Sequence, residues 1–186
     1  MNTDQFVEEN LVRDIFHFDL DFTAVLNYIY KQIDEYNNNE DNTEPFKSGE
    51  IKFSEPLMKK YIKAFTSFQK KNEIPFKVES VPSIHVVEYD TAGIVTELCD
   101  VGDTRSSTIN MVLEDHTHST ITFYPTLTTL NRIPKNAPSY EHFCGEGQTH
   151  ILNNKVLHQI KTKQRGKRII LTMRLSVGYH RLARYV

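Results

Sequence analysis

The stretch "NNKVLHQIKTKQRGKRIILTMRL", residues 153–175, decides how the rest of this chain is read. Two runs rich in β-branched and aliphatic residues flank a basic, glycine-bearing segment, the pattern of two strands about a turn. Side chains alternate along a strand, so in the second run Ile169, Leu171, Met173 and Leu175 share one face. Arg168, Ile170, Thr172 and Arg174 share the other. The first face is wholly apolar and requires a packed layer against it. The second mixes charge with hydrocarbon, which suits water or a ligand cavity. Pairing the runs as a hairpin across "KTKQRGK" predicts that His158 stands directly opposite Arg168 and points the same way.

Upstream, the layer that the apolar face needs is visible. Phe22, Val25, Leu26, Ile29, Ile33 and Tyr36 recur at helical spacing behind Asp21. After the polar loop "NNNEDNTEP", Ser54 offers an N-cap with Pro56 in the first turn. Leu57, Tyr61, Ile62, Phe65 and Phe68 then trace a second stripe, with the lysines of this segment on a solvated face. Beyond "NEIPF" the period changes to short strand-like runs: "VPSIHVVEYD", "GIVTEL", "RSSTINMVLED", "STITFYPTL" and the two runs above. Helices followed by many strands predict an α+β, mainly β chain, with the two N-terminal helices packed on one outer side of a β-sandwich or barrel. One domain spanning 1–186 is expected, with about 1–77 as helical support and about 78–186 as the β core, which the family resemblance given below makes a jelly roll.

Bulk composition narrows the function classes. The 186 residues are 39% hydrophobic and 25% charged, with a net charge of −2, so there is no broad positive field for general nucleic-acid binding or for a polybasic membrane contact. The start "MNTDQFVEEN" is acidic where a secretory leader is basic and then apolar, and no run is long enough to span a bilayer, which gives the expectation of a cytoplasmic protein. Cys99 and Cys144 form no disulfide framework and read as free thiols.

The order "INMVL", "TITFYP", "ILNNKVLHQI", "GKRIILTMRL" resembles the C-terminal part of the iron(II) and 2-oxoglutarate-dependent oxygenases, whose fold is a double-stranded β-helix, over residues 81–177 or so. The resemblance implies that His158 is the distal iron ligand and that Arg168 pairs with the far carboxylate of 2-oxoglutarate, with Asn110 or Tyr89 adding a hydrogen bond. Imidazole suits ferrous iron and a guanidinium fork suits a carboxylate. Some members carry a serine two residues after the arginine; this chain has Ile170.

The chain departs from the family at the His-x-Asp pair. It reads "GIVTELCDVGDTR" there, so taking Asp100 as the metal ligand puts Leu98 where histidine belongs, and taking Asp103 puts Val101 there. Glu97 and Cys99 sit one residue off, on the opposite strand face. Iron held by Asp100 and His158 alone would be weak, because the atoms bonded directly to a metal dominate its affinity.

Three functions follow. The leading expectation is a noncatalytic oxygenase-like module with no cofactor, joining other subunits in an oligomer or larger assembly; oxygenase-like chains of this size are familiar from bacteriophage genomes, which suggests a virion or assembly component. The second is an active dioxygenase using iron(II) and 2-oxoglutarate with a substituted triad of ligands. The third is a cupin-like metal protein, because His116 and His118 would face one way on a strand and Gly147, His150 and Asn154 resemble the second cupin motif. Cys144 near His142 and His150 suggests a nucleophile, but no oriented base or oxyanion donor accompanies it.

Overall fold

The computed structural model describes residues 3–15, 18–98, 107–127 and 136–186. In chain order the described elements are α1 (Thr3–Asn10), β1 (Val12–Asp14), α2 (Phe22–Asn37), β2 (Gly49–Ile51), α3 (Glu55–Lys71), β3 (Ser80–Tyr89), β4 (Gly93–Leu98) and β5 (Ser107–Asp115). They continue with β6 (Thr120–Tyr124), β7 (Tyr140–Phe143), β8 (Thr149–Asn153), β9 (Leu157–Thr162), β10 (Gly166–Leu175) and α4 (Tyr179–Leu182). None of the described helices is long and apolar enough to cross a membrane.

Both long helices start where the capping chemistry predicts. The Asp21 carboxylate accepts from the Ala24 amide at 3.0 Å, and the Ser54 hydroxyl accepts from Leu57 at 3.4 Å, each satisfying an amide that the first turn leaves open. Lys70 and Lys71 close α3 at the negative end of its dipole. The buried stripes are Val25, Ile29 and Ile33 on α2, and Leu57, Tyr61, Ala64, Phe65 and Phe68 on α3. Two positions expected in those stripes lie outside: Ile62 is 55% exposed and Tyr36 41%. Ile62 follows Tyr61 and is therefore turned about 100° away from it, out of the stripe.

The strands form a six-stranded sheet, ordered β1-β8-β5-β10-β3-β2, and a four-stranded sheet, ordered β4-β9-β6-β7. Every pairing is antiparallel. The double-stranded β-helix expected from the strand order is what forms, and α2 and α3 cover the outer face of the larger sheet. Their stripes share one core with Ile84 and Val86 of β3, Ile109, Met111 and Leu113 of β5, and Ile169, Leu171, Met173 and Leu175 of β10. At about 1.5–3 kcal/mol per fully buried aliphatic or aromatic side chain, this layer is the main source of stability. A smaller apolar cluster, including Leu11, Val112, Ile121, Phe123 and Leu152, sits between the two sheets. The first 77 residues do more than support from outside, because β1 and β2 form the two edges of the larger sheet.

The expected hairpin between β9 and β10 does not exist. β9 pairs with β4 and β6, whereas β10 pairs with β3 and β5, so the turn between them carries the chain from one sheet to the other. His158 stands opposite Leu98 and Phe123, and Arg168 opposite Val87 and Asp115. The turn is anchored on the loop between β5 and β6: Lys163 and Gln164 donate their amides to the Thr117 carbonyl at 3.0 and 3.3 Å, and the Gln164 side chain donates to the His116 carbonyl at 2.6 Å. Those bonds hold the two strands apart.

Candidate functional site

The two sheets face each other, and alternation decides what each presents to the space between. Across the larger sheet one inward-facing row runs Asp14, His150, Asn110, Thr172, Ser83, each aligned with the next. From the smaller sheet come His158 with Phe123, their rings 5.5 Å apart, and Ile121 with His142. A cavity of ≈ 330 Å³ lies between the sheets, and Arg168, His158, Asn110 and Tyr89 all line it. His158 and Arg168 therefore do share one space, but from opposing sheets rather than side by side on one. This volume is within the range of small-molecule sites.

Arg168 is the unusual member. It is 2% exposed, and its Nε and Nη1 have no hydrogen-bond partner. The neighbouring carboxylate, Asp115, lies 4.0 Å from Nε and supplies countercharge but no hydrogen bond. Its oxygens are already used: Oδ1 accepts from the Thr117 amide (2.9 Å) and hydroxyl (2.5 Å), and Oδ2 from the Ser119 amide (3.0 Å) and hydroxyl (2.8 Å). Burial alone would raise the Asp115 pKa, but these four donors outweigh it and hold the carboxyl below its ordinary value. A cation of fixed planar geometry is thus neutralised at a distance, with two of its nitrogens unpaired and its side chain in the cavity wall. Such donors are costly to bury unless an anion meets them. The Asn110 Oδ1 is buried and unsatisfied as well.

His158 is 4% exposed, and its Nδ1 lies 2.7 Å from the Val156 carbonyl. With Nδ1 as the donor, Nε2 is the acceptor nitrogen of the ring. Asp100 and Asp103 lie outside the described residues, as do Cys99 and Val101. Leu98 can be placed: its backbone is directly opposite His158 in the β4–β9 ladder.

Three further residues line this cavity, two of them on the face that the sequence assigns to Arg168. His85 lines it from β3, its Nε2 2.8 Å from the Ser83 hydroxyl, and burial lowers its pKa. Thr172 and Arg174 line it from β10, with Arg174 at an exposed position. The alternation that marks Arg168 also marks these two; for His85 the missing signal was its register opposite Ile170.

The cupin-type set does not assemble. His116 and His118 are exposed, in the loop after β5 rather than on a strand, and His118 has φ +49°. His150 is fully buried in β8 opposite Asn110, six positions before His116 along β5 and its loop, about 20 Å of extended chain. Gly147 answers a backbone need, since its φ of +79° in the turn before β8 favours glycine. His150 instead meets His142 and Cys144, their potential ligand atoms all within 4.8 Å of one another. Burial pushes the Cys144 thiol up to about 12, which removes the thiolate a nucleophile requires.

No protein-family model matches the sequence, and no curated protein matches it. Solved structures do. A prolyl-4-hydroxylase from Pseudomonas putida aligns over 92% of this chain and 95% of its own, with TM-score 0.56 and 15% identity. The viral collagen prolyl hydroxylase of Paramecium Bursaria Chlorella virus-1, in its 2-oxoglutarate complex, aligns over 88% and 94% with TM-score 0.53 and 16% identity. HygX from Streptomyces hygroscopicus, with nickel and 2-oxoglutarate bound, aligns over 96% and 88% with TM-score 0.59 and 9% identity. The fold is that of the 2-oxoglutarate-dependent oxygenases. At these identities the likeness to such oxygenases concerns the fold alone.

Proposed function

We propose that this chain binds 2-oxoglutarate in the cavity between its sheets and acts as an iron(II)-dependent oxygenase with a reduced set of protein ligands. The observation that carries the reading is a buried guanidinium in the wall of that cavity, Arg168, two of whose nitrogens lack partners. A purely structural β-roll gains nothing from it, whereas a carboxylate in the cavity is the natural counter-ion for such a group. Arg168 then clamps the far carboxylate of the ligand, and Asn110 and Tyr89 orient it from the cavity wall.

For the metal, His158 offers Nε2 and Asp100 is the second protein donor. The Leu98 position opposite His158 supplies only hydrocarbon, so the third contact falls to the cosubstrate itself and iron affinity depends on 2-oxoglutarate. Ferrous iron, when bound with 2-oxoglutarate, supplies the oxidising chemistry; the protein's own groups bind, orient and exclude water. Leu98 also favours a second reading, in which the chain keeps the scaffold as a noncatalytic structural or interaction module, for instance in a virion or assembly.

An anaerobic titration of iron(II) with and without 2-oxoglutarate separates the readings, followed by absorption for the metal-to-ligand band and by calorimetry for the cosubstrate. The oxygenase reading expects a band that requires 2-oxoglutarate, disappears in His158→Ala and weakens in Arg168→Gln, with succinate formed once air is admitted. Folded wild type that takes up neither iron nor 2-oxoglutarate would establish the structural module instead.

A further inference from the structure

Beside the cavity, four buried polar atoms lacking hydrogen bonds converge: Asp14 Oδ1, His142 Nε2, and both ring nitrogens of His150. Cys144, 0% exposed, completes the group. The topology makes this a designed meeting, because Asp14 of β1 is aligned with His150 of β8 in one sheet, while His142 comes from β7 of the other. The His142 and His150 rings lie 5.7 Å apart at 66°, and His142 Nε2 is 3.4 Å from Asp14 Oδ1.

Leaving one fully buried imidazole without any partner is unfavourable by about 1–3 kcal/mol per polar atom. Two such nitrogens, next to a second imidazole and a thiol, are far more than packing needs. A cation takes up three of the four, one from each residue, and leaves the second His150 nitrogen as an N–H. Tetrahedral zinc places sulfur and nitrogen donors about 3.6 Å apart, given bonds of about 2.3 and 2.1 Å, so the ligand atoms of His142, Cys144 and His150, within 4.8 Å of one another, need contract by only about an ångström, while Asp14 reaches the group through His142 at 3.4 Å. The charges also close: a dication is balanced by the Cys144 thiolate and the Asp14 carboxylate, while the nearby Arg168 already has Asp115.

We propose that Cys144, His142 and His150, with Asp14 as the fourth ligand, form a structural site for a zinc-class divalent cation, separate from any iron held by His158. It clips the edge strand β7 of the smaller sheet to β8 and β1 of the larger one, closing one side of the roll beside the Arg168 end of the cavity. The donor set, one thiolate with two imidazoles and a carboxylate, selects zinc over magnesium or calcium.

The test uses the full chain, stripped with a chelator and titrated with zinc and, separately, with cobalt(II). Expected are one equivalent of zinc that survives dialysis, a rise in melting temperature, and a cobalt–thiolate charge-transfer band. Cys144→Ser should lose the band and bind zinc at least about 100-fold more weakly, given what even outer-shell changes do to metal sites. His142→Gln, at a half-buried edge position where folding is less at stake, should also weaken zinc, and His158→Ala should leave band and stoichiometry intact. Absence of a thiolate band in folded wild type, a band that persists in Cys144→Ser, or zinc lost only with His158→Ala would overturn the proposal. The iron and 2-oxoglutarate titration can fail without touching any of these results.

Discussion

The two faces of the larger sheet are made by the same strands and differ in almost everything else. Toward the helices, β10 presents Ile169, Leu171, Met173 and Leu175, each 0% exposed in a continuous apolar layer. Toward the smaller sheet it presents Arg168, Ile170, Thr172 and Arg174, and there the unsatisfied groups of Arg168, Asn110, His150 and Asp14 collect. One face is optimised for burial, and the other accepts polar groups that burial penalises. The contrast teaches that stability in this protein comes from outside the roll, which leaves its interior free to hold chemistry.

Substitutions on the two faces should therefore separate stability from binding. The largest effect belongs to the outer face: Leu171→Ala leaves a cavity in the helix-covered core and is expected to cost about 2–5 kcal/mol in urea unfolding, with 2-oxoglutarate affinity of the folded fraction unchanged. If affinity falls in parallel, the faces are not independent. Next, Arg168→Met should weaken 2-oxoglutarate at least about 100-fold by calorimetry, the loss of a buried ionic contact. Asp115 keeps its four donors but loses its countercharge, so stability should fall as well, and the affinity is read on the folded fraction.

A smaller effect should appear at acid pH. Asp115 has its pKa lowered on folding, so its contribution is complete above the ordinary value of 3.8 and is lost as pH falls through the lower folded value. Ser119→Ala removes one donor, brings the folded pKa up, and should cost about 1 kcal/mol at neutral pH. Acid unfolding, followed by urea midpoints across the pH range, should then begin at higher pH than in wild type. The smallest effect is expected at Ile62, which lies on the solvent side of α3: Ile62→Lys should change stability by less than about 0.5 kcal/mol. A larger loss there would reveal a partner covering that helix face.

Much of this contrast was legible in the sequence. Alternation along residues 168–175 separates the apolar face from the polar one, and the stripes of α2 and α3 provide what covers the former. The shared space of His158 and Arg168 was anticipated, but through a hairpin that does not form. A short glycine-bearing turn looks the same whether its strands pair or part, and the difference lies in distant acceptors such as the Thr117 carbonyl. His116 and His118 were misplaced for a related reason: two residues apart on a strand they would share a face, but the chain leaves β5 at Asp115 to cap that carboxylate with Thr117 and Ser119.

By itself the sequence determined the alternating β-rich class, the capped helices and which side of β10 is apolar, because these follow from periods and caps within a few neighbouring residues. Only the tertiary structure decided that β9 and β10 lie in opposing sheets, that Arg168 faces a cavity with its donors unpaired, and that Asp14, His142, Cys144 and His150 meet. Those outcomes depend on strand pairings between residues tens of positions apart, and for Asp14 with His150 more than a hundred, and nothing in local propensity encodes them.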